Sequence, residues 1–127
     1  MTAERRVLVI DDSMLIRRVA AIALAKHGWT VLDAESGRDG LAVAIEDHPD
    51  AILLDVEMPG LDGPATLREL RADPLTHDIP VLFLTGHAVD QDKHGDLRLL
   101  GADGVLAKPF QAADLAGLVA ETLGWSL

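Results

Sequence analysis

Ile52-Leu53-Leu54-Asp55-Val56-Glu57-Met58-Pro59-Gly60 carries an apolar run into a carboxylate and then into a turn. Ile52 to Leu54 are continuously apolar instead of alternating, so the stretch reads as a strand buried on both faces, as in a parallel sheet. Pro59 lacks a backbone donor and Gly60 favours turn geometry, so the strand stops there. Asp55 therefore stands where a sheet ends and a loop begins, the place where open α/β sheets bind ligands.

The stretches on either side alternate in the same way. Arg6 to Ile10 reads as a first strand running into Asp11-Asp12, with Ser13 as a cap for a helix whose apolar stripe is Leu15, Val19 and Ile22 and whose Arg17 and Arg18 turn away. Gly28 ends that helix, and Trp29 to Ala34 form a more amphipathic second strand, expected near an edge of the sheet. Ser36 to Asp39 form a capping box for a second helix, which buries Leu41, Ala44 and Ile45 and closes at Pro49. After the Asp55 strand, Gly63-Pro64 opens a third helix with Leu67 and Leu70 inward, ended by Pro74. Pro80 to Leu84 form a fourth strand ahead of Thr85-Gly86. A fourth helix is read from about Asp90 to Leu100, and Asp103 to Ala107 form a fifth strand ahead of Lys108-Pro109-Phe110. A fifth helix carries Leu115, Leu118, Val119 and Leu123 on one face. Five strands alternating with five helices call for right-handed crossovers and a parallel sheet covered on both sides.

Composition narrows the function classes. The 127 residues carry 21 acidic against 11 Lys and Arg side chains, a formal net charge of -10. No basic stripe exists for nucleic acid, and no apolar run reaches membrane length. Cysteine is absent, which excludes disulfides, thiolate catalysis and cysteine-held metals. The polar start, Met1 to Arg6, is no signal peptide, so a cytoplasmic protein is expected.

In a parallel sheet the strand ends lie on one side, so Asp11, Asp12, Asp55, Thr85 and Lys108 converge. Alone, Asp11 and Asp12 would read as helix caps and Thr85 as an ordinary strand-end residue; their joint placement argues for a site. Clustered carboxylates need a cation, and an all-oxygen donor set suits magnesium, with manganese as the alternative. A carboxylate also serves as a nucleophile on phosphorus, and Lys108 and Thr85 offer a charge and a hydroxyl to phosphoryl oxygens. The five histidines show no metal-ligand spacing. Met14 and Met58 read as packing residues and Trp125 as a cover for the chain end.

Together, Asp11-Asp12, L-L-D-V-E-M-P-G-L-D-G around Asp55, Thr85-Gly86 and G-A-D-G-V-L-A-K-P-F resemble the receiver domain of bacterial two-component response regulators, over essentially the whole chain. The resemblance implies a flavodoxin-like doubly wound five-stranded sheet, order 2-1-3-4-5. It implies one receiver domain over residues 1–127, with a core of about 5–124 and no output domain. Asp55 would be the phosphoacceptor, served by a histidine kinase or histidine phosphotransfer protein. Magnesium would be held by Asp12, Asp55 and the backbone carbonyl of Glu57, with Asp11 acting through water. Thr85 and Lys108 would contact the phosphoryl group, and Pro109 would follow a cis peptide. Glu57 and His87 would flank the path of attacking water. Output would be a docking event, not turnover, on the face of the fourth helix, fifth strand and fifth helix, a face that also serves homodimers.

The chain departs from the pattern at Val105, where receivers usually carry a Tyr or Phe whose rotation reports phosphorylation. That puts the aromatic relay in doubt and moves output toward Thr85 and the loop after the fourth strand. The alternatives are a receiver fragment of a larger regulator, a haloacid-dehalogenase-type phosphatase and a flavodoxin-like nucleotide binder. The phosphatase pattern wants an Asp where Glu57 stands, and a nucleotide binder wants a phosphate loop where Asp11-Asp12 would repel phosphate.

Overall fold

The computed structural model describes residues 4–86 and 97–126. Its strands are β1 (Arg6–Ile10), β2 (Thr30–Ala34), β3 (Ala51–Asp55), β4 (Val81–Thr85) and β5 (Gly104–Ala107), and the helices between and after them are α1 (Met14–Ala25), α2 (Gly37–Asp47), α3 (Gly63–Ala72) and α4 (Ala112–Leu123). All pairings are parallel, in the order β2-β1-β3-β4-β5. β3 lies at the centre and is buried at every position, which is why its apolar run is unbroken. β2 is an edge strand, as its amphipathic pattern requires.

Alternation along the strands separates two cores. Val7, Val9, Leu53, Leu82 and Leu84 pack with Ala20, Leu24, Leu115 and Val119 of α1 and α4. Leu8, Ile10, Ile52, Leu54 and Phe83 pack with Ala44, Leu67 and Leu70 of α2 and α3. Among the described residues the crossovers thus place two of these α-helices on each face.

The helix starts follow the sequence. Ser13 and Ser36 accept hydrogen bonds from the amides of Ile16 and Asp39, at 3.3 and 3.1 Å. Asp62, which the sequence reading passed over, caps α3 through the Ala65 amide at 2.9 Å, with Pro64 in the first turn. Gly63 has a different duty: a Cβ there would lie 2.4 Å from the Asp55 carbonyl oxygen. Only glycine lets α3 begin directly against the end of β3.

The helix faces correct several expectations. Leu15 and Ile22 are 71% and 62% exposed, and α1 instead buries Ala20, Ala23 and Leu24, with Ile16 packed against that core. In α2 the inward residues are Gly37, Gly40 and Ala44, and Ile45 is exposed. In α4 Leu118 is exposed, while Leu115, Ala116, Val119 and Ala120 are buried. The common reason is close helix–sheet approach. A Cβ at Gly40 would meet the Ile10 side chain at 2.3 Å, so the small residues define the buried face and the larger ones overhang it. Met14, expected to pack, is exposed, and Met58 is buried.

Of the fourth helix read from about Asp90 to Leu100, only Leu97–Leu100 lies within the described residues, as a single 3-10 turn; the remainder, with His87, lies outside them. The fifth helix of the sequence reading is α4. Trp125 covers the chain end, packing edge-on against Trp29 at 5.4 Å between centroids, with the Arg5 guanidinium 4.4 Å over its ring.

Candidate functional site

Each site residue follows the last residue of a strand or ends one. Asp11 and Asp12 follow β1, Asp55 and Thr85 are the last residues of β3 and β4, and Lys108 follows β5. The parallel sheet gathers them at its carboxyl end. Carboxylate oxygens of Asp11, Asp12 and Asp55 all lie within 4.8 Å of one another. Lys108 Nζ donates to Asp11 Oδ2 and to Asp55 Oδ1, both at 3.1 Å.

Burial sharpens the electrostatics. Asp11 is fully buried and Asp55 is 3% exposed, whereas Asp12 faces solvent. Asp11 is held on every side. Its amide donates to the Ala34 carbonyl at 3.1 Å, and its Oδ1 accepts from the Ser13 amide at 2.9 Å. Among the described residues three carboxylates face one ammonium, an excess of two negative charges. Burial, then the Asp11 charge, push the Asp55 carboxyl up from 3.8 to about 6 against the pull of Lys108. Burial alone would lower the Lys108 ammonium, but its hydrogen bonds to Asp55 and Asp11 and their charges outweigh that, so it is raised. A polar, mostly buried group of acids that cannot all be ionised cheaply is short of a cation, and its donors are all oxygen.

Thr85 is buried at 3% exposure, and its carbonyl accepts from the Lys108 amide at 2.8 Å, tying the two strand ends together. The Lys108–Pro109 peptide is cis. Glu57 lies exposed on the loop between β3 and α3. Val105 is half-buried beside the core that contains Phe83.

Arg17 corrects the sequence reading. It does not turn away: its Nε pairs with Asp33 of β2 at 2.9 Å and its Nη1 donates to the Asp11 carbonyl at 2.8 Å. The available signal was spacing, because Arg17 lies four residues past the cap Ser13 and so on the same side of α1.

The chain matches known proteins along almost all of its length. The family model described as response regulator receiver domain matches residues 7–120. The phosphate regulon transcriptional regulatory protein PhoB of Pseudomonas aeruginosa is 38% identical over 111 residues, which are 87% of this chain and 48% of that protein. The chain thus spans about half of that relative's length. Protein PilH of the same organism is 41% identical over 110 residues, 87% of this chain and 90% of PilH. Among solved structures, the receiver domain of the sensor histidine kinase PA1611 of Pseudomonas aeruginosa PAO1 superposes with a TM-score of 0.85 at 30% identity, covering 96% of this chain and 99% of that one. In that structure a magnesium ion is coordinated in the active-site cleft.

Proposed function

The chain belongs to the response regulator receiver family, and from that premise we propose that Asp55 accepts the phosphoryl group of a histidine kinase, a histidine phosphotransfer protein or a small acyl phosphate. One observation carries the reading: a buried carboxyl, raised to about 6, shares a single lysine with a second buried carboxyl and lies beside an exposed third. In the transfer, an Asp55 oxygen forms a bond to phosphorus as the bond to the donor's imidazole nitrogen or acetate oxygen breaks, and the donor leaves with the electron pair. Lys108 Nζ, already at Asp55 Oδ1, follows the charge onto a phosphoryl oxygen. The Thr85 hydroxyl, at the neighbouring strand end, is assigned to another.

The donor set fits magnesium. Asp12, Asp55 and the Glu57 backbone carbonyl would hold it directly and Asp11 through water, with manganese as a substitute. When bound, the ion supplies positive charge opposite the phosphoryl oxygens. Asp12, the exposed carboxylate, leaves the site open to solvent and to a donor.

Receiver domains are signalling domains that engage histidine kinases and downstream proteins. For this chain the proposed chemistry is limited to acquiring and hydrolysing its own phosphoryl group, with altered docking as output. Val105 offers little rotation, so the change is assigned to Thr85 and the segment that follows it in sequence, and the face of β5 and α4 is the proposed surface for a downstream protein or a second copy. A cytoplasmic location agrees with the absence of cysteine and of any membrane-length apolar helix among the described residues. The phosphatase alternative is not favoured, since Glu57 replaces the second Asp it requires.

Intact mass after incubation with acetyl phosphate and magnesium tests this. One added phosphoryl group on wild type and none on Asp55→Asn is expected. Equal labelling of both proteins refutes it, as does failure of wild type to gain either a phosphoryl group or a beryllofluoride adduct.

A further inference from the structure

Asp12 is the exposed acid of the cluster, and nothing in its burial keeps its side chain pointed at Asp55. Its direction is inherited from the backbone, and the backbone here is held from β2. The peptide before Asp11 is tied to that strand by the Asp11 amide on the Ala34 carbonyl at 3.1 Å. The peptide after it, which joins Asp11 to Asp12, is a rigid plane whose carbonyl accepts from Arg17 Nη1 at 2.8 Å. Arg17 is itself fixed, because its Nε pairs with Asp33 of β2 at 2.9 Å and its side chain is 13% exposed. β2 contributes no residue to the site, yet Asp33 and Ala34 clamp both peptides around Asp11.

We propose that Arg17 is a positioning residue: by bridging Asp33 and the Asp11 carbonyl it fixes the Asp11–Asp12 peptide plane and so aims the Asp12 carboxylate at the divalent cation. This inference rests on the reading of the cluster as a cation site. Its two-pronged grip suits a guanidinium and not an ammonium, whose three donors carry no fixed fork.

Charge and positioning predict opposite signs, which makes the test decisive. Deleting a positive charge near a dication site strengthens binding if Arg17 acts only through its field. If it positions Asp12, deletion weakens binding despite that gain. The experiment measures Mn2+ affinity without any phosphodonor, from the electron paramagnetic resonance signal of free aqua Mn2+, for wild type, Arg17→Met and Arg17→Lys. Methionine keeps an apolar stem against α1, and lysine keeps the charge without the fork. The expected result is binding about ten-fold weaker in Arg17→Met, the low end of the range for groups that orient metal ligands, and a smaller loss of about three-fold in Arg17→Lys, which keeps one donor but not the fork. A merely structural role would lower the metal-free melting temperature and leave affinity unchanged. Affinities equal to or tighter than wild type in both variants overturn the proposal, and if Arg17→Met does not fold, Arg17→Lys decides alone. A wild type that binds no Mn2+ overturns the cation site itself, a result distinct from a wild type and variants that bind alike.

Discussion

At the amino end of the sheet Arg71 donates to the carbonyls of Ile79 and Gly101, at 2.7 and 3.1 Å, and pairs with Asp103 at 3.3 Å; at the carboxyl end Lys108 is divided between Asp11 and Asp55. Both ends join loops with an aspartate and a long cation. At the amino end the Asp103 carboxylate is matched by a cation and an amide, since its Oδ2 also accepts from the Val81 amide at 2.8 Å, and the Arg6 guanidinium pairs with Asp47 at 3.7 Å while the Arg6 amide donates to Asp50 Oδ2 at 2.8 Å. At the carboxyl end the acids outnumber the cation among the described residues, and Asp11 and Asp55 are more deeply buried than Asp103. A satisfied network fastens the fold, while an unsatisfied one holds a standing demand for positive charge and is where chemistry belongs.

Four measurements break or sharpen this contrast. The largest effect is expected from Lys108→Met, which leaves two buried carboxylates facing each other and should cost about 3 kcal/mol at pH 7.5 without metal. Urea denaturation should show most of that loss disappearing at pH 4, where Asp55 is protonated in both proteins. Next is Asp55→Asn, with the opposite sign. The folded Asp55 carboxyl titrates near 6 against 3.8 in an exposed chain, so the folded state holds its proton more tightly. The stability cost is absent below pH 3.8, develops up to about pH 6 and is complete above it. At about 1.4 kcal/mol per unit the ceiling is about 3 kcal/mol. Because Lys108 loses a partner, a gain of about 2 kcal/mol at pH 7.5, vanishing by pH 4, is expected. A loss on substitution would mean that the acids at this end are satisfied after all.

Arg71→Met at the amino end should cost between about 1 and 2 kcal/mol, the same at pH 5 and 8 and unaltered by magnesium. A pH-dependent loss there would erase the contrast. The smallest effect is from magnesium itself, which should stabilise wild type by about 1.4 kcal/mol at ten times its dissociation constant and leave Asp55→Asn much less affected. Melting temperatures in graded magnesium chloride read this directly.

The sequence showed the carboxyl end more fully than the amino end, for physical reasons. Strands buried on both faces leave unbroken apolar runs such as Ile52 to Leu54, and parallel topology sends their ends to one side, so convergence of Asp11, Asp12, Asp55, Thr85 and Lys108 followed from the alternation of strands and helices, while the strand order itself came from the family resemblance. Arg71 escaped notice because its partners are chiefly backbone carbonyls, which leave no trace in residue types. Arg17 was misjudged for the same reason: an arginine beside apolar residues reads as solvated unless its carbonyl and Asp33 are seen. The helix faces were misread at Leu15, Ile22, Ile45 and Leu118 because size was taken as the mark of burial. Where a helix lies tight against a sheet, small residues such as Gly40, Ala44 and Ala120 occupy the contact.

The tryptophan pair has a practical consequence for all of these measurements. Trp29 precedes β2 and Trp125 follows α4, so both indoles of this chain sit at the amino end, roughly 16 Å from the acids by the rise of a five-residue strand. Their ultraviolet emission is a spectator of the cation and of the phosphoryl group, free of direct quenching by either. It reports the seam between the chain end and the start of the sheet, so a melt followed by fluorescence isolates folding from occupancy, and a ligand-induced change in emission at constant temperature would be a signal carried through the length of the sheet.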